Sequence, residues 1–535
     1  MRSKFYRKEG LQVFAFFFIF TFLLFFFISS DSYTHDIWYK GDAAWFYMSG
    51  KAWMNGLVPY VDITDSKGPL LFFIYGIGYL LSPRNYFGVF WISVFWYAAI
   101  FFICYKLANL FLSNKRLAIY SSLLMAFAFF MPYRGNEFRA EDLCMLFSAA
   151  SLYLLCKVLY VDDCSDKQIN KSCFIIGISL AATFLIKFSV TAVMGILPII
   201  GLVYLIREKK PIIKPFFCLV AGLLIMFLTF VIYMLATQSL DDFLHEYILN
   251  TLDTVKDSNA IKVTIMELTY ILVNPVRFLI LAIGCLGCLL FTQKVKRYRW
   301  APMIAFLWFM LFCSQHTYLN FCNHYFIPAM LFFIFFDIMI ISILKGFLDK
   351  RRNRVCLYSV VLLSVISENL IMYKNGTVLN PSFFIYNNGY RKQYYDIAYL
   401  MSQVKNPTYI NWAHTVDMGY GIPVNSLPGT KYNTEQGGCT PEMRKEQTKG
   451  VMKGKADFIT VAIDNAFSKH KHTLEMLGYK PYYTFSAPIQ GGQLMLFSKH
   501  HLRMPPKDFH VSNMDVLLKR KITFAAPCTT PPRNS

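Results

Sequence analysis

Eleven apolar runs of roughly bilayer length decide almost everything this chain can fold into. They cover about 11–30, 86–112, 117–133, 142–161, 173–187, 188–206, 215–236, 271–292, 300–314, 325–344 and 355–372. About 20 apolar residues of helix cross a hydrocarbon core of about 30 Å. In lipid every backbone amide and carbonyl must be bonded internally, so such runs fold as helices. The expected class is a polytopic α-helical membrane protein. Of the 535 residues, 56% are hydrophobic and only 16% charged, too little charge to clothe a soluble protein of this length. The short alternating segments of an outer-membrane barrel are absent.

The net charge of +21 invites a nucleic-acid reading, and its distribution excludes one. Basic residues gather in short loops beside the apolar runs: Arg2, Lys4, Arg7 and Lys8; Lys115 and Arg116; Arg207, Lys209, Lys210 and Lys214; Lys294, Lys296, Arg297 and Arg299; Lys345, Lys350, Arg351, Arg352 and Arg354. That is the pattern of cytoplasmic topology anchors. Most of the thirteen Cys lie inside apolar runs, where Cys behaves as a small hydrophobe. Cys439 stands alone in the polar tail, and no CxxC spacing occurs.

Charge parity fixes the topology. The apolar block 70–81 reaches under about 20 Å as a helix, short of a full crossing. If it does not cross, all five basic clusters fall on one side with the N-terminus; if it does, the later four flip. It is therefore expected to be an interfacial or half-buried helix. Residues 31–85, 134–141, 237–270, 315–324 and everything after about 373 then lie outside. The division between 173–187 and 188–206 rests on Lys187 alone, and fusing the two would invert all that follows. The N-terminal run is long for a signal peptide and no clear cleavage site follows it, so it is expected to be an uncleaved first span.

Two domains are expected: 1–372, a transmembrane catalytic domain with external loops 31–85 and 134–141, and 373–535, a small α/β domain. In the latter, TYINWA and ADFITVAI have the pattern of strands, whereas DIAYLMSQV and 441–454 have that of helices. The end after about 503 is expected to be poorly structured. The glycines of DMGYGIP do not make a nucleotide-binding GxGxxG turn.

The polar stretch HDIWYKGDAAWFYMSGKAWMNGLVPYVDITDSKGP, 35–69, carries the richest chemistry. A helix should open at Gly41-Asp42 and lie on the interface with Ala43, Ala44, Phe46, Tyr47, Ala52 and Trp53 on its apolar face, ending at Gly56 and Pro59. Asp42 suits a helix cap. Asp36, Asp62 and Asp65 need no role beyond exposure, and Lys67 can snorkel. The second loop, 131–145, brings Arg134, Glu137, Arg139, Glu141 and Asp142 together; Glu141 and Asp142 also favour the dipole of the helix they begin. Lys187 interrupts an apolar run, which makes it a functional candidate. His316, Asn323, His324 and Tyr325 stand at the outer mouth of a span. There is no HExxH or paired Cys/His spacing.

The stretch GDAAWFYMSGKAWMNGLVPYVDITDSKGPLL resembles the first periplasmic loop of bacterial GT-C fold glycosyltransferases, the protein O-mannosyltransferase-like and lipid A aminoarabinose transferase-like superfamily. Asp42, residues 56–62, Asp65 and residues 67–69 carry the likeness; Glu141 in NEFRAEDLCMLF and the His324-Tyr325 pair add to it. The likeness covers about 1–345 by architecture and about 60 residues by motif. It implies a GT-C fold of about 11 transmembrane helices. It also implies inverting transfer of a sugar from a polyprenyl-phosphate donor to a lipid, glycan or protein acceptor. Asp42 and Glu141 would be the catalytic carboxylates, with Asp42 as base. Asp65, Lys67, Arg134, Arg139, Lys187, His324 and Tyr325 would bind substrate, the cations facing the lipid phosphate. No metal is assigned, although some relatives of this fold bind a divalent ion. The implied location is a bacterial inner membrane with the C-terminal domain periplasmic. A flippase of lipid-linked sugars and a non-catalytic scaffold are the competing readings; the flippase is disfavoured because the polar candidates lie at one face rather than at mid-membrane.

The topology has a direct test. Reporter fusions after residues 42 and 450 should be active outside the cytoplasm, and fusions after 115, 210 and 296 should be active inside it.

Overall fold

A computed structural model describes residues 2–28, 41–129, 138–161, 164–250, 269, 271–314, 323–348, 389–413, 419–434, 440–487 and 492–506. The chain divides into two compact units. One contains 1–29, 92–233 and 255–379; the other contains 30–91, 234–254 and 380–535.

The first unit is helical. Its elements are α1 (Arg2–Ile28), α4 (Phe87–Ala108), α5 (Lys115–Phe129), α6 (Ala140–Tyr160), α7 (Asp166–Phe184), α8 (Phe188–Met194), α9 (Ile196–Arg207), α10 (Ile213–Ala236), α11 (Pro275–Phe291), α12 (Ala301–Ser314) and α13 (Phe333–Ile343). Among the described residues, five helices are long and apolar enough to cross a membrane, and a bent pair, His324–Met330 with Phe333–Ile343, makes a sixth. Pro275–Phe291 and Ala301–Cys313 are shorter apolar helices. The run 355–372 lies outside the described residues. The expected break at Lys187 is present: α7 ends at Phe184, and Lys187, in extended backbone, precedes α8.

Glycine decides how closely these helices meet. A Cβ on Gly177 of α7 would stand 2.0 Å from the Leu219 carbonyl oxygen, and one on Gly222 of α10 would stand 2.0 Å from that of Phe174. The two backbones therefore touch, as small residues allow between membrane helices. Only 17% of the α10 span is buried, so most of its surface is left for lipid.

The second unit joins the first polar loop to the C-terminal domain. It contains α2 (Gly41–Met54), α3 (Pro69–Leu81), the segment Leu240–Leu249, α14 (Gly389–Ser402), α15 (Pro441–Met452), α16 (Phe467–Met476) and a five-stranded sheet. The helix at Gly41 is present, but it is not an interfacial helix with a wet face. Its residues from Ala43 to Ala52 are buried, because α3 lies against it so closely that a Cβ on Gly50 would meet the Gly76 amide at 2.4 Å. In contrast, α3 buries only one side against the protein. It hides Leu71, Phe72 and Tyr75 and exposes Phe73, Ile77, Leu80 and Leu81, a stripe at helical spacing.

The sheet has the order β2-β1-β3-β5-β4, with β1 (Thr408–Trp412), β2 (Leu427–Pro428), β3 (Phe458–Ala462), β4 (Lys480–Ala487) and β5 (Gly492–Ser498). β1 pairs in parallel with β2 and β3, and β5 runs antiparallel to β3 and β4. The two expected strands and two expected helices are β1, β3, α14 and α15. Ile410, Trp412, Val451, Ile459, Val461, Leu474 and Phe497 form the core. Residues beyond 506 lie outside the description.

One buried cation joins α2 to this domain. Lys51 is fully enclosed, and its ammonium donates to the carbonyl oxygens of Gly421, at 2.9 Å, and Val424. Burial lowers its pKa from 10.5 to about 7. Between those values the unfolded chain holds a proton that the folded chain lacks. Stability therefore rises with pH across that window and has no Lys51 slope below about 7, at up to about 1.4 kcal/mol per pH unit. Thermal unfolding between pH 6.5 and 10 should show this slope in wild type and its loss in Lys51→Met.

Candidate functional site

The chemistry-bearing residues fall into two clusters, one in each unit. In the second unit the turn after α2 is built around Tyr60, whose φ of 69° is unusual for an aromatic residue and costs on the order of 1–3 kcal/mol. Other bonds hold it there. Its amide donates to Ile63 O at 2.6 Å, and its fully buried phenol donates to the carbonyl of Lys67 at 2.7 Å. Asp62 accepts from the Val58 amide at 2.8 Å and so acts as a turn former.

Asp65 was expected to be exposed, but only 4% of it is. The fold closes over it because Trp45, on the buried face of α2, donates to its carboxylate. Lys67 Nζ stands 3.7 Å from Asp65 Oδ1. Burial pushes the Asp65 carboxyl up; Lys67 opposes the shift, and the charge of Asp42 adds to it. Asp42 itself sits in the first turn of α2 and is exposed. Asp65 and Lys67 thus pair closely, the charge of Asp42 also acts on Asp65, and Asp42 is the exposed carboxylate of the three.

The same unit holds a residue that the sequence did not reveal. Glu246 lies in a π-helical turn, Leu244–Leu249, a feature common near functional sites. It is 4% exposed and accepts from Thr64 Oγ1 at 3.1 Å, Tyr432 Oη at 2.6 Å and Lys431 Nζ at 2.8 Å. It therefore ties the first loop to the C-terminal domain beside Asp65. Its setting in the sequence, 237–270, carries no motif.

In the first unit the centre is Glu141. It is 3% exposed at the start of α6 and accepts from the ammonium of Lys187. His324 Nε2 is 4.0 Å from the same oxygen. Lys187 also lies over the ring of Tyr325, 4.1 Å from its centroid, a cation–π contact. Asp142 has a different task. It accepts from the Arg139 amide at 3.0 Å and from the phenol of Tyr97, so it caps α6 and fixes the helix start. Arg139 is half-buried at that cap; Arg134 and Glu137 lie outside the described residues.

Arg277 is the cation that sequence reading passed over in this unit. It is fully buried in the first turn of α11, where Asn274 caps the helix, and its guanidinium is 5.1 Å from the Phe326 ring. An ionisable residue within the run 271–292 was the available signal. Among the described residues no group of three or more His, Cys, Asp or Glu side chains could hold a metal ion.

Residues 66–234, about a third of the chain, match the family described as dolichyl-phosphate-mannose-protein mannosyltransferase. No curated protein sequence matches. Among solved structures, ArnT from Cupriavidus metallidurans bound to undecaprenyl phosphate is similar, with a TM-score of 0.55 at 12% identity, over 94% of this chain and 99% of that one. The apo state of ArnT from the same organism gives 0.52 at 9% identity, with the same coverage. The fold is that of the GT-C membrane glycosyltransferases. With the family match, it marks the chain as a glycosyltransferase of that type.

The Glu141–Lys187 pair should reveal its burial in stability. Their side chains are 4% and 12% exposed. Glu141→Ala strands a buried ammonium and should cost on the order of 3–5 kcal/mol, most of it recovered in Glu141→Leu/Lys187→Met. A double-mutant cycle on detergent-solubilised protein measures this.

Proposed function

We propose that the protein is an inverting glycosyltransferase that moves a sugar from a polyprenyl-phosphate donor onto an envelope acceptor: a lipid, a polysaccharide precursor or a protein. Its place is a bacterial inner membrane, with the chemistry and the C-terminal domain on the periplasmic side. The observation that carries this reading is the cluster of Lys187 and Tyr325 with the buried Glu141 and His324. α7 runs from Asp166 to Phe184, so Lys187 lies at the end of the helix opposite its cytoplasmic start. Fixed positive charge there suits a phosphate carried on a lipid of the outer leaflet. The similar ArnT structure holds such a lipid, undecaprenyl phosphate.

In this reading Asp42 accepts the proton of the acceptor hydroxyl. The hydroxyl oxygen attacks the anomeric carbon, and the bond from that carbon to the phosphate oxygen breaks, which inverts the centre. The departing lipid phosphate keeps the electron pair. Lys187 and the buried Arg277 supply the charge that stabilises it, His324 supplies a hydrogen bond, and Glu141 holds Lys187 in place. Asp65 orients Lys67, and Arg134, Arg139 and Tyr325 complete substrate binding. A lipid-phosphate leaving group removes any need for a nucleotide site outside the cell.

Asp42→Asn separates this from a capping role. Transfer should fall by about 10²–10⁴ while retention of labelled polyprenyl phosphate and the thermal stability stay near wild type. Envelope glycolipids and glycoproteins from a deletion strain, complemented with either version, give the readout by mass. Normal glycosylation with Asp42→Asn would make Asp42 a cap only.

A further inference from the structure

A second site lies in the first unit, at the opposite end of α7 from Lys187. A groove of about 280 Å³ runs among α6, α7, α9 and α10, with walls that include Leu155, Ile169, Ile176, Leu197 and Leu219. Gly201 leaves it open: a Cβ there would meet only a Leu155 methyl, at 3.6 Å. Near Ile176 and Leu219, α7 and α10 touch backbone to backbone at Gly177 and Gly222, which closes and stiffens that end.

The other end is polar. It widens into a mouth that shares Ile169 and Pro215 with the groove and is also lined by Asp166, Lys167, Asn170 and Lys214. Lys167 and Lys214 are exposed, so two cations face one carboxylate. The side-chain oxygen of Asn170 is buried and has no hydrogen-bond partner among the described residues. An apolar slot ending in a net positive, hydrogen-bonding mouth matches one kind of molecule, an anionic amphiphile with an aliphatic chain.

We propose that this groove binds an anionic glycerophospholipid of the cytoplasmic leaflet. One acyl chain fills the slot, the phosphate meets Lys167 and Lys214, and a headgroup hydroxyl donates to Asn170. The site is open to the bilayer because α10 is largely uncovered. It is separate from the proposed donor phosphate site. Asp166 and Lys187 bracket α7, about 30 Å apart along the helix, and the loop that carries Arg207, Lys209 and Lys210 marks the groove's end as cytoplasmic.

Native mass spectrometry of the delipidated full-length protein tests this with phosphatidylglycerol, phosphatidylcholine and undecaprenyl phosphate as probes. Wild type should retain phosphatidylglycerol about tenfold better than phosphatidylcholine, since each lysine near an anionic lipid contributes about fivefold and Asp166 offsets part of that. Lys167→Ala/Lys214→Ala should abolish the preference. Gly201→Leu should fill the slot and reduce retention of both phospholipids. Equal retention by wild type, or a preference that survives the lysine substitutions, overturns the proposal. So does displacement of phosphatidylglycerol by undecaprenyl phosphate in wild type but not in Gly201→Leu, which would make the groove the donor's. If Gly201→Leu does not fold, the lysine variant at its exposed positions decides alone.

Discussion

An ammonium group cannot stay in a low-dielectric helix bundle without a partner, and the first unit is organised around that constraint. Lys187 breaks a long apolar run, and Glu141 answers it from the start of α6. Asp142, one residue later, caps the same helix and so fixes where Glu141 points. His324 and Tyr325 close the other side. Desolvating an ion pair costs more than it returns unless its geometry is tight, so a cluster of this kind is weak evidence of stability and better evidence of function.

The second unit solves a different problem: how to hold an acidic loop in one shape. Tyr60 takes a strained backbone angle and is locked by its phenol. Glu246 bonds to Thr64, next to Asp65, and to Lys431 and Tyr432 of the C-terminal domain. Lys51 binds two carbonyls of the same domain. The domain therefore braces the loop that carries Asp42 and Asp65. Preorganised carboxylates and charges are what transfer chemistry needs, because they require no rearrangement as charge develops.

Much of this was legible in the sequence, and for identifiable reasons. Helix-length apolar runs announced the bundle, Lys187 announced its own break, and strand and helix patterns placed β1, β3, α14 and α15. The order of Asp42, Asp65 and Lys67 in the first loop, with Glu141 and the His324-Tyr325 pair, pointed to the GT-C fold. What stayed hidden depended on tertiary burial. Nothing local says that α2 is covered on its polar side, that Asp65 is enclosed, or that Glu246 bonds to two distant segments. Arg277 was visible as a charge in an apolar run and was absorbed into a span.

The most direct test of the central claim, that the Glu141–Lys187–His324 cluster receives a lipid phosphate, is photo-crosslinking of the full-length protein in membranes. A polyprenyl phosphate with a photoreactive group beside its phosphate is the probe. The account predicts that labelled peptides contain Lys187 or the His324-Tyr325 pair, and that Lys187→Met removes the label. Labelling confined to the basic loops around Lys115, Lys210 and Lys296, unchanged by Lys187→Met, would contradict it.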